Sequence, residues 1–268
     1  MEYKQKYRRE IRPKKSLGQH FLKDLSIAER IAGTLDILPE CPVLEIGPGT
    51  GVLTQFILQN KRNLTVVELD SESVEFLQSH YPALENRIIA ADFLKLDLDG
   101  LFSEKFCVIG NYPYNISSQI FFKVLEYKDK IPLCAGMLQK EVAERLASAP
   151  GKKAYGIISV LLQAWYDIEY LFTVEPDAFD PPPKVRSAVI RLTRNSRTSL
   201  GCDETLFKTV IKTAFNQRRK TMRNSLKTLL GKENEIFAHP VFDKRPEQLS
   251  VEEFIELTQS IQLIINNS

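Results

Sequence analysis

A short apolar segment that breaks off at a glycine-rich turn near residue 47 constrains the fold of this 268-residue chain more than any other feature. The segment 43–46 reads VLEI and is followed by Gly-Pro-Gly, and residues 52–59 then carry apolar side chains at helical spacing. LTVVELD at 64–70 and the helical pattern at 71–81 repeat that order. Three more strands are predicted at 86–93, 106–114 and 131–138. Strands that alternate with helices indicate an α/β fold with a Rossmann-like, mostly parallel sheet.

The pattern changes from alternating to helical beyond residue 195. Residues 195–199 read NSRTS, which is typical of a linker, and three later segments have apolar positions three and four residues apart. These segments are 204–215, 218–230 and 251–264. The sequence therefore predicts an α/β domain over 1–195, which includes a basic N-terminal arm at 1–15, and a small all-helical domain over 196–268.

Glycine, carboxylate and amide side chains follow the carboxyl ends of the predicted strands, the edge where open parallel sheets bind ligands. Gly47, Gly49 and Gly51 are spaced G-x-G-x-G, which lets the backbone approach a ligand but is not the G-x-G-x-x-G of dinucleotide folds. A plain turn is the alternative. Glu68 is placed to accept hydrogen bonds from a ribose diol. Asp92 is placed to accept from an adenine amine or, alternatively, to cap a turn. Together these residues favour a nucleoside-containing cofactor.

The tetrapeptide Asn111-Tyr112-Pro113-Tyr114 follows the fourth strand and is the most specific motif. Pro113 fixes its own φ and biases Tyr112 toward an extended conformation, so the loop is stiff. An amide oxygen accepts hydrogen bonds from an exocyclic amine, and an aromatic ring stacks on a base and tolerates developing positive charge. The motif therefore predicts a clamp for a planar amine, formed by Asn111 and Tyr114. An Asx-Pro turn with two packing tyrosines is the alternative.

Basic residues are concentrated in two short segments. The chain has 36 Lys and Arg against 34 Asp and Glu. Residues 1–15 hold seven of the basic residues with two acids, and residues 212–227 hold six with no acid, which leaves 23 basic and 32 acidic residues elsewhere. This asymmetry favours nucleic acid as partner over two solvated basic faces. The arm is expected to be disordered without RNA. Phosphate contacts are expected from the second predicted C-terminal helix, through Arg218, Arg219, Lys220, Arg223 and Lys227.

Several classes of protein are excluded by the same sequence. No apolar run approaches the roughly 18 residues of a membrane span, and the basic N terminus has no apolar signal segment. The four cysteines are widely spaced without a CxxC pair, so neither a disulfide framework nor a zinc site is indicated. His80 and His239 have no carboxylate or cysteine at ligand spacing, so no metal is expected. We expect a cytoplasmic protein, and a monomer because nothing marks an extra apolar face.

Eight motifs follow one another along nearly the whole chain. They are SLGQHFL (16–22), EIGPGTG (45–51), VVELD (66–70), AADF (90–93), GNYPYNIS (110–117), LQKEVAERL (138–146), DPPPKVRSAVIRL (180–192) and FNQRRKTMRNSLK (215–227). Together they resemble the ribosomal RNA small-subunit adenine dimethyltransferases of the KsgA/RsmA type. Several of these motifs are specific to that family rather than to class I methyltransferases in general.

The resemblance implies a class I S-adenosylmethionine-dependent methyltransferase. Its activity would transfer four methyl groups from S-adenosylmethionine to N6 of two adjacent adenosines in the hairpin loop near the 3′ end of 16S rRNA. The partner implied is the immature small ribosomal subunit, in whose biogenesis the family has a role. By motif, the residues implied to bind the cofactor are His20, Leu22, Gly47, Gly49, Glu68, Asp92 and Asn111. Those implied to act on the target base are Asn111, Tyr114 and Phe179, with Phe179 on the side opposite Tyr114.

Two positions depart from the common pattern of the family. His20 stands where many members have Asn, and Tyr112 stands where many bacterial members have Leu. A side-chain contact from His20 to the cofactor would make binding sensitive to pH, whereas a backbone contact would not. For Tyr112, a packing role is favoured over a role in the base site.

Two other functions stay open. A large-subunit rRNA adenine dimethyltransferase that confers antibiotic resistance shares the fold and the clamp, but the motif FNQRRKTMRNSLK argues against it. A non-catalytic RNA-binding assembly factor would retain the cofactor pocket, and the intact Glu68, Asp92 and Asn111 disfavour it. A nicotinamide oxidoreductase is disfavoured by the glycine spacing and the base clamp.

Overall fold

A computed structural model describes residues 11, 14, 19–231 and 233–267 of the chain. Contacts between Cα atoms divide the chain into two compact units. The first contains residues 1–143 and 168–194, and the second contains residues 144–167 and 195–268. Most of the predicted N-terminal arm lies outside the described residues, as does the beginning of the SLGQHFL motif.

A seven-stranded sheet carries the α/β architecture. Its strands are β2 (Val43–Ile46), β3 (Leu64–Glu68), β4 (Ile88–Ala90), β5 (Cys107–Asn111), β6 (Leu133–Gln139), β7 (Tyr166–Val174) and β9 (Ser187–Arg194). They lie in the order β4-β3-β2-β5-β6-β9-β7, parallel from β4 to β6 and antiparallel between β6 and β9. Two short strands, β1 (Phe21–Leu22) and β8 (Phe179–Asp180), form a separate antiparallel pair. The predicted α/β fold with a mostly parallel sheet is confirmed.

The central strands are buried on both faces. All four residues of β2 are buried, and so are the first four of β5. Parallel strands are covered on both sides, which is why their sequences are continuous apolar runs. Val43 pairs with both Leu64 and Cys107, so β3 and β5 flank β2 in the same direction. Their carboxyl ends therefore meet at one edge of the sheet.

Helices follow the strands. They are α1 (Leu25–Ala32), α2 (Thr54–Gln59), α3 (Ser71–His80), α4 (Ser117–Glu126) and α5 (Lys140–Leu146). The Asp24 carboxylate accepts hydrogen bonds from the N–H groups of Ser26 and Ile27, which starts α1. The helix predicted at 52–59 begins at Thr54, because residues 50–53 form a turn.

The second unit contains the helices α6 (Ile157–Gln163), α7 (Glu204–Asn216), α8 (Met222–Leu230) and α9 (Val251–Asn266). Asp203 caps α7, and Ser250 with Glu253 forms a capping box at the start of α9. The rings of Phe215 and Phe254 stack 5.9 Å apart and join α7 to α9. Within the described residues, no helix combines the length and apolar character needed to cross a bilayer.

The two units differ from the predicted domains 1–195 and 196–268 in the placement of segment 144–167, which the prediction assigned to the first domain. Helix α6 of this segment packs against α7, so the segment belongs to the second unit by contact. The N–H of Asn195 donates to the Trp165 carbonyl over 3.0 Å, and Nε of Arg197 donates to the Ala164 carbonyl over 3.0 Å. These bonds hold the segment to the chain that enters the helical unit.

The helix predicted at 218–230 begins only at Met222, which corrects the placement of three basic residues. Gln217 leaves the helical conformation at φ −117° and ψ 43°, and Thr221 is extended before α8. The N–H of Lys220 donates to the Gln217 carbonyl, which closes a turn. Arg218, Arg219 and Lys220 therefore lie in this turn, while Arg223 and Lys227 lie on α8.

Candidate functional site

A cavity of about 210 Å³ opens where the carboxyl ends of β2, β3 and β5 meet. Its walls contain most of the predicted site residues, namely His20, Leu22, Gly47, Gly49, Glu68, Asp92, Asn111 and Tyr114. Phe179 is not among the described residues that line it. The Phe179 ring is fully buried in β8, opposite Leu22 of β1. The structure thus brings together all the predicted cofactor-binding residues and two of the three assigned to the base.

The glycine loop after β2 forms the floor of the cavity. Gly49 has φ +56°, a conformation that favours glycine, and a Cβ atom there would lie 3.1 Å from the Phe21 ring. The main-chain N–H of Gly49 donates to Oε2 of Glu68 over 3.0 Å. The loop is therefore held against both the N-terminal segment and the end of β3.

Glu68 ends β3 with its carboxylate almost fully enclosed. Oε1 accepts hydrogen bonds from the N–H groups of Leu69, at 2.8 Å, and Asp70, at 2.9 Å. Burial raises the pKa of the Glu68 carboxyl, while these bonds and the one from Gly49 partly offset that rise. The backbone of the turn thus fixes the orientation of the carboxylate at the cavity wall.

Glu45, in the middle of β2, is a second buried carboxyl beside the same cavity. Its Oε2 accepts a hydrogen bond of 2.7 Å from the Thr54 hydroxyl at the start of α2. Burial raises the pKa of the Glu45 carboxyl to about 8, and the nearby Glu68 carboxylate adds to the rise. Glu45 is therefore mostly neutral at pH 7. Sequence reasoning assigned it no role, although a carboxyl within an apolar strand was a signal.

Lys14 lies beside the turn that follows β3. Its ammonium group bonds to the Asp70 carboxylate and lies 2.9 Å from Glu72. Burial alone would raise the pKa of the Asp70 carboxyl, but the hydrogen bonds from Lys14 and Ser73 hold that pKa below its usual value. The N-terminal segment is thus attached next to Glu68, a contact that charge counting along the sequence did not reveal.

Asp92, after β4, has one oxygen engaged in a turn. Its Oδ1 accepts from the Leu94 N–H over 3.0 Å and so caps the turn Phe93–Lys95. Lys123, from α4, donates to the Leu94 carbonyl over 3.1 Å and holds the other side of this turn. Asp92 therefore caps a turn through Oδ1, as the alternative prediction stated. The same residue also lines the cavity.

The Asn111 amide ends β5 and contacts the N-terminal segment. Its Nδ2 donates to the His20 carbonyl over 3.1 Å. Among the described residues, none donates a hydrogen bond to Oδ1 of Asn111. The acceptor end of the amide is the end that an exocyclic amine requires.

The Tyr112 ring lies beneath this loop and is 1% exposed. Its hydroxyl donates to the Ala135 carbonyl over 2.7 Å. The ring packs on Gly110 and Gly136, which are paired between β5 and β6, and a Cβ atom on either glycine would approach it within 3 Å. Tyr112 therefore packs between β5 and β6 and also lines the cavity.

Tyr114 and His20 form the rim of the cavity. The Tyr114 hydroxyl lies 2.5 Å from the Ser187 hydroxyl, and burial raises the pKa of this tyrosine. The rings of Tyr114 and His20 stack with centroids 5.4 Å apart and planes at 29°. Nδ1 of His20 lies 2.9 Å from the Pro181 carbonyl. Ser187 and Pro181 belong to the DPPPKVRSAVIRL motif. The sequence analysis did not predict that this motif helps to hold the rim of the cavity.

The basic residues of the second unit differ in their partners. Arg219 and Lys220 are exposed, and they form no ion pair with the residues that the structure describes. Arg218 donates to the Lys152 carbonyl over 3.3 Å. Arg223 pairs with Asp243 over 2.8 Å. Lys227 also forms no ion pair with the described residues but is partly buried. Arg219 and Lys220 are therefore the most available of the five predicted phosphate contacts.

Within residues 11, 14, 19–231 and 233–267, no set of three or more His, Cys, Asp and Glu side chains is arranged to hold a metal ion.

The sequence profile of the family described as Ribosomal RNA adenine dimethylase matches residues 11–263. The chain belongs to this family. Proteins named Ribosomal RNA small subunit methyltransferase A are similar to this chain along most of their length. The one from Parabacteroides distasonis is 71% identical over 248 residues, 92% of this chain and 93% of that protein. The one from Bacteroides thetaiotaomicron is 63% identical over 253 residues, 94% of this chain and 95% of that protein.

Two solved structures of transferases share the fold. A dimethyladenosine transferase from Plasmodium falciparum matches with a TM-score of 0.77 at 22% identity, over 92% of this chain and 98% of that one. The 23S rRNA methyltransferase ErmE matches with a TM-score of 0.67 at 26% identity, over 88% of this chain and 98% of that one. The predicted class I methyltransferase fold with a C-terminal helical region is confirmed.

Membership of the ribosomal RNA adenine dimethylase family establishes the class of reaction. The chain is a methyltransferase that dimethylates adenosines of ribosomal RNA, as the sequence predicted. The family and its structural neighbours support S-adenosylmethionine as the methyl donor. The roles of individual side chains stay predictions.

Proposed function

We propose that this adenine dimethylase transfers methyl groups from S-adenosylmethionine to N6 of two adjacent adenosines in the hairpin loop near the 3′ end of small-subunit rRNA, within the immature subunit. The names of its relatives support the choice of subunit. The observation that carries the assignment of the site is the Asn111 amide, which lies at the cavity with its acceptor oxygen unoccupied by any described residue. A cytoplasmic location and a monomeric state stay predictions.

The cavity residues fit the proposed cofactor. Bound S-adenosylmethionine supplies a methyl group on a positively charged sulfur. Gly47 and Gly49 line the cavity, and a Cβ atom on Gly47 would have its nearest neighbour, Pro113, at 4.0 Å, so the backbone there leaves room for close approach. The Glu68 carboxylate would accept from the ribose hydroxyls, and Asp92 from the adenine amine through the oxygen that does not cap the turn. His20 and Leu22 would close the pocket from the N-terminal side.

The target base needs orientation more than acid or base catalysis. The lone pair of an adenine N6 amine is delocalised into the ring, so turning that lone pair toward the methyl group is the main contribution available to the protein. Oδ1 of Asn111 would accept from N6–H while the Tyr114 ring stacks on the base. Phe179, which is fully buried beside Leu22, would have to become accessible to close the opposite side.

RNA would be held mainly through its phosphates. In the second unit, Arg218, Arg219, Lys220, Arg223 and Lys227 would position the RNA without reading its sequence. A loop adenosine would then swing out of its stack into the cavity, at a cost of a few kcal/mol that is smallest for unpaired bases.

The test is transfer of tritiated methyl groups from S-adenosylmethionine to small ribosomal subunits that lack these modifications. We expect about four methyl groups per small subunit, none on large subunits, and loss of incorporation in Asn111→Ala. Asn60→Ala is the matched control, because Asn60 is an exposed asparagine at the end of α2. Asn111→Asp keeps an acceptor oxygen but loses the N–H that bonds to His20, so it should retain more activity than the alanine variant.

Three results would contradict the proposal. Label on large subunits alone would assign the chain to the resistance enzymes. Tight binding of small subunits without any label would favour a non-catalytic assembly factor. Full activity in Asn111→Ala would refute the assignment of the clamp.

A further inference from the structure

His20 joins its own segment to two others at the rim of the cavity. Its main-chain carbonyl accepts from Nδ2 of Asn111 over 3.1 Å. Its imidazole Nδ1 lies 2.9 Å from the Pro181 carbonyl, and its ring stacks on Tyr114. One residue thus joins the N-terminal segment to the loop after β5 and to the loop after β8.

The first contact determines which way the Asn111 amide faces. The two ends of an amide have similar size, so the hydrogen bonds around it decide which end is turned to a ligand. A carbonyl oxygen can only accept, so the His20 carbonyl selects the NH₂ end of Asn111. The oxygen is thereby reserved for a donor such as an exocyclic amine. A shift of the main chain at His20 would remove this selection.

The side chain of His20 holds that main chain in place. Because the Pro181 group is also a carbonyl, Nδ1 carries the proton in this bond. The bond attaches position 20 to the loop after β8, and the ring lies against Tyr114, whose hydroxyl is in turn bonded to Ser187. All these side-chain contacts are made to the proposed base-binding rim, and none of them to Gly47, Glu68 or Asp92.

We propose that the His20 side chain is a positioning residue for the target adenine: through Pro181 and Tyr114 it fixes the segment whose carbonyl orients the Asn111 amide. This inference rests on the proposed function of Asn111 and Tyr114. It assigns different roles to the two parts of residue 20: the backbone borders the cofactor, and the side chain positions the target base.

The test compares methyl transfer with cofactor binding in His20→Ala, His20→Phe and His20→Asn. We expect His20→Ala to lower kcat about tenfold, the effect of removing one orienting interaction. Its Kd for S-adenosylhomocysteine, measured by calorimetry, should stay within about twofold, as expected when the deleted side chain does not touch the cofactor. His20→Phe keeps a ring against Tyr114, so it should recover part of the rate that the alanine variant loses. His20→Asn keeps a polar group but no ring, so it should recover less.

His80→Ala is the matched control. The His80 ring also stacks on an aromatic ring, that of Phe76 at 4.0 Å, and its Nδ1 lies 2.9 Å from the Phe76 carbonyl, but it belongs to α3 and does not line the cavity. We expect wild-type transfer rates from this variant.

The rates are measured on whichever ribosomal subunit the wild type labels, so an error in the proposed substrate does not prevent the comparison. Equal losses of cofactor affinity and transfer rate in His20→Ala would show that the side chain serves the cofactor and would overturn the inference. Wild-type rates in His20→Ala would overturn it as well. The inference would also fail if the transfer rates of the variants simply followed the fraction of folded protein, determined from thermal unfolding, and His20→Phe recovered none of the lost rate.

Discussion

The main-chain N–H of Gly49 donates a 3.0 Å hydrogen bond to Oε2 of Glu68, and so joins the glycine loop after β2 to the end of β3. Oε1 of the same carboxylate already accepts from the N–H groups of Leu69 and Asp70. A carboxylate has about four lone-pair sites, of which three are therefore in use. A ribose diol, which brings two hydroxyl donors, would take the remaining site and compete with Gly49 for another.

Glu68→Gln should weaken cofactor binding without unfolding the protein. A glutamine keeps the size of the side chain but replaces one acceptor oxygen by a donor and removes the charge. Hydrogen bonds to charged groups contribute about 1.5–3 kcal/mol, so we expect a loss in affinity for S-adenosylhomocysteine of roughly 10- to 100-fold. Titration calorimetry measures it, with Glu75→Gln, on the exposed face of α3, as the control. An unchanged Kd would exclude Glu68 from the cofactor site.

Glu45→Gln should change how stability depends on pH. The carboxyl of Glu45 has a pKa of about 8 in the folded protein and an ordinary value near 4.5 when unfolded. Between these values the folded state retains a proton that the unfolded state has released, so rising pH destabilises the wild type by up to about 1.4 kcal/mol per pH unit. The loss of stability caused by Glu45 is therefore absent below pH 4.5 and complete above pH 8.

Denaturant unfolding of the wild type and Glu45→Gln at a series of pH values checks this prediction. The difference in free energy of unfolding should move in favour of the variant from pH 4.5 to pH 8 and stay level outside that window. The exposed Glu75→Gln should show no such trend relative to the wild type. A level difference across the whole range would mean that Glu45 ionises normally when folded.

Gly136→Ala should destabilise the first unit strongly. A Cβ atom on Gly136 would lie 2.3 Å from the Gly110 carbonyl and 2.6 Å from the Tyr112 ring, and its φ of +155° disfavours other residues. Forced overpacking of this kind costs about 1–3 kcal/mol or more. Gly100→Ala is the matched control, because a Cβ atom there would have its nearest neighbour at 3.9 Å. Thermal unfolding should show a clear loss for the first variant and little change for the second; equal melting temperatures would contradict the packing described for Tyr112.

Arg219→Ala and Lys220→Ala should each weaken RNA binding more than Arg223→Ala does. Arg223 is already paired with Asp243, whereas the other two are exposed and make no ion pair within the described chain. A substitution that removes one phosphate interaction should reduce the slope of log K against log salt by roughly 0.7–0.9. Filter binding to small-subunit RNA over a range of salt concentrations gives these slopes. Equal slopes for all three variants would show that the ion pair with Asp243 does not matter.

Much of the first unit follows from local sequence. The apolar runs at β2, β3 and β5 predict strands, and the alternation with helices predicts a parallel sheet, whose strands end at a common edge. That rule alone places the glycine loop, Glu68 and Asn111 together. In the structure these residues do line one cavity. The prediction succeeds because parallel strands that are buried on both faces can be arranged in few ways.

Local patterns were less informative in the second unit. The helical period at 218–230 continues across Arg218–Lys220, yet α8 begins at Met222, because the chain must turn after α7 before the next helix packs. The segment 144–167 was predicted within the α/β domain 1–195, but contacts of α6 with α7 assign it to the helical unit.

The amino-acid sequence by itself determined the fold class, the family and the identity of most cavity residues, because strand periodicity, turn chemistry and contiguous motifs are local properties of a chain. Only the tertiary structure decided how those residues act on one another. The orientation of the Asn111 amide, the protonation of Glu45 and the burial of Phe179 depend on groups far away in sequence. Desolvation and hydrogen-bond geometry exist only once the chain has closed around them.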